Sequence, residues 1–252
     1  MKLKVEVMDK MDEEVLVVSK DIFFARFEYF EGFKPARHFY DKSEYTNDLE
    51  GYEYTMYSDH ILSNKRYMKR RDCEEDPSYL QIIPYICIFH ENGIFYVERG
   101  SGSGESRLHG KISIGMGGHL NESDWDWTWP VYNPLLKKTS TVTHGCRNDL
   151  ILHGAMRELY EETDIDGNIN ITFAGLINYD SDPVNAVHLG IVFFAKLWEG
   201  STIEPRELDK ISNHGTTYPH VLTDSKHINK LELWSKSILE ELKKIDKEEN
   251  YA

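Results

Sequence analysis

Apolar residues fall in short runs whose period changes from one segment to the next. Val15-Leu16-Val17-Val18, followed by Asp21-Ile22-Phe23-Phe24, reads as a short strand and then a turn. From Lys34 to His60 aliphatics thin out among Tyr, Asp, Glu and Lys, the make-up of a surface region or loop-rich cap. Ile61 to Arg71 has room for a helix. Asp76-Pro77-Ser78 then breaks the pattern, because proline removes a backbone donor and restricts its predecessor. The expected division is an N-terminal extension or cap over 1–78 and a main domain over 79–252.

After that break, Ile82 to Phe89 is a β-branched and aromatic run, Glu91-Asn92-Gly93 makes a turn, and Ile94 to Arg99 resumes the pattern. A β-hairpin is predicted. A Gly/Ser-rich stretch over 100–106 leads to the short strand Lys111 to Ile114, which delivers Gly115-Met116-Gly117-Gly118-His119. Residues 121–147 show no clear period but hold Trp125, Trp127, Trp129 and Tyr132, so a long aromatic loop is expected. Leu150 to Thr163 has helical spacing, with Ile151, Ala155 and Leu159 four apart and Leu152 beside them. Residues 169–177 and 187–198 read as strands, and 227–244 as a helix with Ile228, Leu231, Trp234, Ile238 and Leu242 on one stripe. Strands and helices alternate as in an α+β fold with a mixed sheet.

Composition narrows the functions open to such a fold. The 252 residues include 29 Lys+Arg against 43 Asp+Glu, a formal charge of -14, which disfavours a nucleic-acid polymer because phosphate binding depends on basic residues displacing counterions. A small phosphate-bearing substrate stays open if a divalent cation accompanies it. Cys73, Cys87 and Cys146 are few, odd in number and widely spaced, unlike a disulfide framework or a zinc site. A reduced, cytoplasmic setting is expected. No window reaches the roughly 18 uninterrupted apolar residues of a membrane span, so no membrane partner is expected either.

The chemistry concentrates in Arg157-Glu158-Leu159-Tyr160-Glu161-Glu162. At about 100° per residue, Glu158 and Glu162 differ by about 40°, and Glu161 lies about 60° to the other side of Glu158. Three carboxylates thus share one arc, which is destabilising unless compensated, and Arg157 alone cannot neutralise all three. A divalent metal would relieve the repulsion, and oxygen-only ligands suit Mg²⁺ or Mn²⁺ better than zinc. The alternative is a solvated acidic helix face.

Together with Gly117-Gly118, this segment resembles the Nudix signature, G-x5-E-x7-R-E-U-x-E-E-x-G-U with U aliphatic. Arg157, Glu158, Leu159, Glu161, Glu162 and Ile165 match its C-terminal half, and Gly118 its glycine. Counting back from Arg157 places the first glutamate on Asp149, one methylene shorter. Thirty residues then separate Gly118 from Asp149 where the signature has five. Asp164 stands where the late glycine is, a position at which Asp tolerates a left-handed helix-ending backbone. The similarity extends over roughly residues 60–200, at Asp76-Pro77-Ser78-Tyr79, Gln81 to Tyr85, Ser113-Ile114-Gly115, Gly117 to Asn121 and Val187 to Gly190.

The resemblance implies a Nudix-like mixed β-sheet sandwiched between helices, α/β/α, with an N-terminal extension. It implies Mg²⁺-dependent hydrolysis of a diphosphate linkage in a nucleoside diphosphate joined to another group, with Mn²⁺ able to substitute. Glu158, Glu161 and Glu162 would hold the metal with the Gly117 carbonyl, Arg157 would orient a glutamate, and Asp149 would be the remaining acid. Gly118, His119, Arg99, Arg107, Trp127 and His188 are the candidates for contacting substrate. All but Gly118 have a plainer reading: a backbone hydrogen bond for His119, a core histidine for His188, hairpin-edge decoration for Arg99 and Arg107, and a satellite core for Trp127 with Trp125 and Trp129. Asp180 and Asp182 are candidate acids or bases, or simply turn formers. A nucleotide-sensing module without turnover and a Nudix-fold isomerase are the competing functions. Residues 1–78 are left with three roles: capping the cleft, forming a homodimer, or completing the sheet.

Overall fold

A computed structural model describes residues 10–37, 46–91, 93–102, 108–126 and 149–249. The chain runs through β1 (Glu14–Ser19), α1 (Lys20–Arg26), β2 (Gly32–Pro35), α2 (Thr46–Ser63), β3 (Arg66–Lys69) and α3 (Arg70–Cys73). It continues with β4 (Tyr79–His90), β5 (Gly93–Arg99), β6 (Ile112–Ser113), β7 (Gly115–Gly117), α4 (Leu150–Glu162), β8 (Thr163–Asp166), β9 (Ile169–Asn178) and β10 (His188–Leu197). The last elements are β11 (Thr202–Pro205), β12 (Ile211–Thr217), α5 (Pro219–Leu222) and α6 (Leu233–Glu249).

One mixed sheet carries the order β12-β5-β4-β10-β9-β2, with β1 and β7 also on β4, β3 on β1 and β6 on β5. Among the described residues, β4 and β10 are the only two strands that pair in parallel, from His188 opposite Gln81 to Lys196 opposite Phe89. Both are buried along nearly their whole length, as their uninterrupted apolar runs require of strands covered on two faces. Successive side chains point to opposite faces. Leu80, Ile82, Ile86, Leu189, Ile191 and Phe193 therefore meet Ile151, Ala155, Met156 and Leu159 of α4 in one core. Tyr85, Cys87, Val192 and Ile177 meet Ile238 and Leu239 of α6 in the other. This is the α/β/α sandwich that the resemblance to the Nudix signature implies.

Several elements differ from the sequence expectation. Asp21 to Phe24 is helical, because Phe23 and Phe27, four apart, pack together in the first core. The stretch taken as a loop-rich cap contains α2, whose Tyr54, Tyr57 and Ile61 reach that core in place of aliphatics. The helix expected over 61–71 ends at Ser63, and Arg66–Lys69 becomes a strand because β1 offers it a partner edge. Residues 227–232 precede α6 rather than belonging to it: Ile112 and Lys230 bond through their backbones, and Leu231 bridges to Ile112. Strands β8, β11 and β12 are additional. Residues before 79 contribute β1 and β2 to the main sheet.

Candidate active site

Helix α4 starts at Asp149, whose Oδ1 accepts the Ile151 and Leu152 N–H groups at 3.0 and 3.2 Å. It ends at Thr163, whose hydroxyl donates to the Leu159 carbonyl at 2.5 Å. From there the backbone goes directly into extended β8, where Asp164 faces Glu204. The left-handed backbone expected at Asp164 is absent: Thr163 ends the helix with its side chain, and the next residues are held by β11. Asp149 lies nine residues before Glu158, about 14 Å along the axis, so it caps the helix rather than joining the carboxylate arc.

The carboxylate set against Arg157 is Asp124, not Asp149. Asp124 is fully buried, and Arg157 Nε reaches its Oδ1 at 2.6 Å while Nη2 reaches Oδ2 at 3.3 Å. The same guanidinium donates to Glu158 Oε1 at 2.7 Å, to Glu161 Oε2 at 3.2 Å and to the His119 carbonyl at 2.9 Å. Arg157 thereby ties α4 to the glycine stretch and to the short turn over Glu122–Asp126. Gly154 makes the approach feasible, since a Cβ there would stand 2.0 Å from Leu120 Cδ2 and 3.0 Å from Asp124 Oδ2. Asp124 was legible all along: counted forward from Gly118 with five residues between, the signature's first acid falls on it. The extra residues follow that acid instead of preceding it.

Glu158 and Glu162 face the glycine stretch. A Cβ on Gly118 would lie 2.4 Å from Glu158 Oε1, and one on Gly117 would lie 2.1 Å from the Pro84 carbonyl oxygen, so both glycines are required for this packing. Burial raises the Glu158 carboxyl above its ordinary range, opposed by Arg157. Burial, reinforced by the charge of Glu158, pushes Glu162 up to about 8, although Arg99 and a hydrogen bond from the Gly117 backbone pull the other way. Glu161 is the exposed member, with its side chain 60% accessible. Arg99 donates from Nε to Glu232 at 2.8 Å, and this ion pair outweighs its desolvation to keep the guanidinium firmly charged. Glu207 and Lys210, which pair with each other, also act electrostatically on Glu162, and the sequence carried no signal for either.

The other candidates disperse. His119 and His188 meet each other, with ring centroids 5.6 Å apart. Asp180 pairs with Lys20, and Asp182 caps the following turn through Val184 N at 2.9 Å. Lys65 lies over the ring of Trp125 at 5.9 Å. Arg107, Trp127 and Trp129 lie outside the described residues. Burial drives the Cys87 thiol up and leaves it a core residue, with no sign of a nucleophile.

Against known proteins, no family model matches the chain. Protein YmaB of Bacillus subtilis strain 168 is 32% identical over 235 residues, covering 92% of this chain and 98% of that protein. The chain belongs to the YmaB family. Among solved structures, Tm1382, named there as a candidate Nudix hydrolase, aligns with a TM-score of 0.62 at 23% identity over 91% of this chain and 98% of that one. The fold of this YmaB-family chain is accordingly the Nudix fold. No helix among its described residues is long and apolar enough to cross a membrane.

Proposed function

We propose that the chain hydrolyses a diphosphate linkage in a small nucleotide-type molecule with the help of Mg²⁺, for which Mn²⁺ can substitute. The observation that carries this reading is the half-buried pair Glu158 and Glu162, two like charges crowded beside Gly117 and Gly118 with Glu162 pushed up to about 8. Crowded, half-buried carboxylates without sufficient cationic neighbours are a poor structural choice, and a hard divalent ion resolves the conflict. Glu158 and Glu162 would hold the ion, with Glu161 at the rim and the Gly117 carbonyl beside them. When bound, the ion would polarise phosphoryl oxygens and lower the pKa of water.

The chain's own residues do the positioning. Arg157 holds Glu158 in one orientation and is itself locked by buried Asp124. Gly118 leaves room for that carboxylate, and Arg99 adds positive charge near Glu162 that a diphosphate would meet. The overall charge of -14 favours a small substrate over a polymer. Incubation with a panel of nucleoside-diphosphate compounds and Mg²⁺ tests the proposal, with Glu162→Gln as control. Turnover that the control loses supports it. Tight binding without turnover by the unmodified protein would replace it with a sensing role.

A further inference from the structure

On the sheet face away from α4, a second group of side chains converges. Glu74 follows α3, His119 follows β7, and His188 opens β10; one ligand atom from each lies within 4.8 Å of the others. Alternation explains the separation from the carboxylates. Leu189 enters the first core with α4, so its strand neighbour His188 projects the opposite way, and His119, just past the end of β7, meets its ring.

Three further observations indicate that the cluster is built to hold something. His188 Nδ1 lies 2.7 Å from the Val184 carbonyl, which can only accept, so Nδ1 carries a proton and the ring orientation is fixed by the backbone. A ring fixed in this way is the usual condition of a metal-binding histidine. Second, His119 Nε2 is buried without a hydrogen-bond partner. Third, Gln81 is opposite His188 in the parallel register, fully buried, with neither amide atom partnered. Orphaned buried polar atoms are costly, and several beside one converging set of ligands call for a guest.

We propose that Glu74, His119 and His188 bind a divalent transition-metal ion of the zinc type, separate from the carboxylate site of α4. Two imidazoles and one carboxylate suit Zn²⁺ or Co²⁺ far better than Mg²⁺, which prefers oxygen ligands and its own water. Three protein ligands leave a fourth position for water. The ion would fasten the segment after α3 and the glycine stretch to the head of β10. Because the His119 carbonyl accepts from Arg157 Nη2, it would brace the backbone against which Glu158 rests.

The test uses the full chain, stripped of metal and titrated with Co²⁺ and then Zn²⁺. The expected result is one equivalent of Co²⁺ with the visible absorption of a low-coordinate histidine site, displaced by Zn²⁺, together with a rise in Tm on adding Zn²⁺. His188→Gln and Glu74→Gln should each weaken binding by at least about tenfold, while Glu162→Gln retains it, so this site and the proposed catalytic site fail independently. Circular dichroism of the metal-free variants checks their folding, and Glu74→Gln, on a partly exposed residue, decides the matter if His188→Gln does not fold. Absence of stoichiometric binding would overturn the proposal. Binding untouched by Glu74→Gln, or abolished by Glu162→Gln, would do so equally.

Discussion

The Cβ that Gly118 lacks would stand 2.4 Å from Oε1 of Glu158, so the carboxylate and the glycine backbone share one space. In Gly118→Ala, the far end of Glu158 would have to move while the backbone stays. The expected outcome is a folded protein with turnover reduced on the order of 100-fold, the usual cost of displacing a reacting group by about an ångström. Gly115→Ala makes the contrast: its Cβ would strike the buried ring of Tyr85 at 2.2 Å, and it should instead lower stability by about 1–3 kcal/mol. Parallel turnover and thermal melts separate the two effects.

Alanine is the better helix former by about 1 kcal/mol, yet Gly154→Ala should destabilise the chain. The added methyl meets Leu120 and Asp124, both fully buried. A net loss of about 1–3 kcal/mol in chemical denaturation is expected. A gain in stability would mean that the Glu122–Asp126 turn does not pack on α4 as described.

Removing one partner of a buried ion pair leaves an uncompensated charge. Asp124→Ala should therefore cost about 3 kcal/mol or more, whereas Glu161→Gln, at the exposed end of the same network, should cost less than about 1 kcal/mol. Equal effects in denaturant titrations would contradict the burial difference between them.

Stability in metal-free buffer should fall with rising pH. Glu162 titrates near 8 in the native state against an ordinary value of 4.5, so between those values the native chain binds more protons than the unfolded chain, and each step upward in pH favours unfolding. The raised Glu158 adds the same sign. Glu162→Gln should remove most of a slope amounting to a few kcal/mol across the window, on the order expected from such a shift. Mg²⁺ affinity should climb over the same range, because the ion binds the ionised form. Denaturation curves at several pH values, with and without Mg²⁺, measure both.

Asp149→Ala should behave as loss of a helix cap, lowering stability by about 0.5–2 kcal/mol. Turnover per folded molecule should fall far less than in Glu158→Gln. A loss comparable to that variant's would return Asp149 to the reacting groups.

The central strands β4, β5, β9 and β10 and the helix α4 were readable in the sequence because burial sets their patterns: β4 and β10 are covered on both faces, and α4 is buried through its first seven residues and carries its less buried carboxylates beyond them. The arc of Glu158, Glu161 and Glu162 follows from helix geometry alone. Elements whose burial depends on distant partners were not readable. β3 exists because β1 presents an edge, and α2 buries tyrosines that composition assigned to a surface. The choice of Asp124 over Asp149 as the partner of Arg157 was present as a spacing but became evident only in three dimensions. Capping consumes one carboxylate and the ion pair buries the other. The gathering of Glu74, His119 and His188 belongs wholly to tertiary structure. These residues lie far apart in the chain, and only the pairing of β4 with β7 and β10, together with alternation across the sheet, places them on one face.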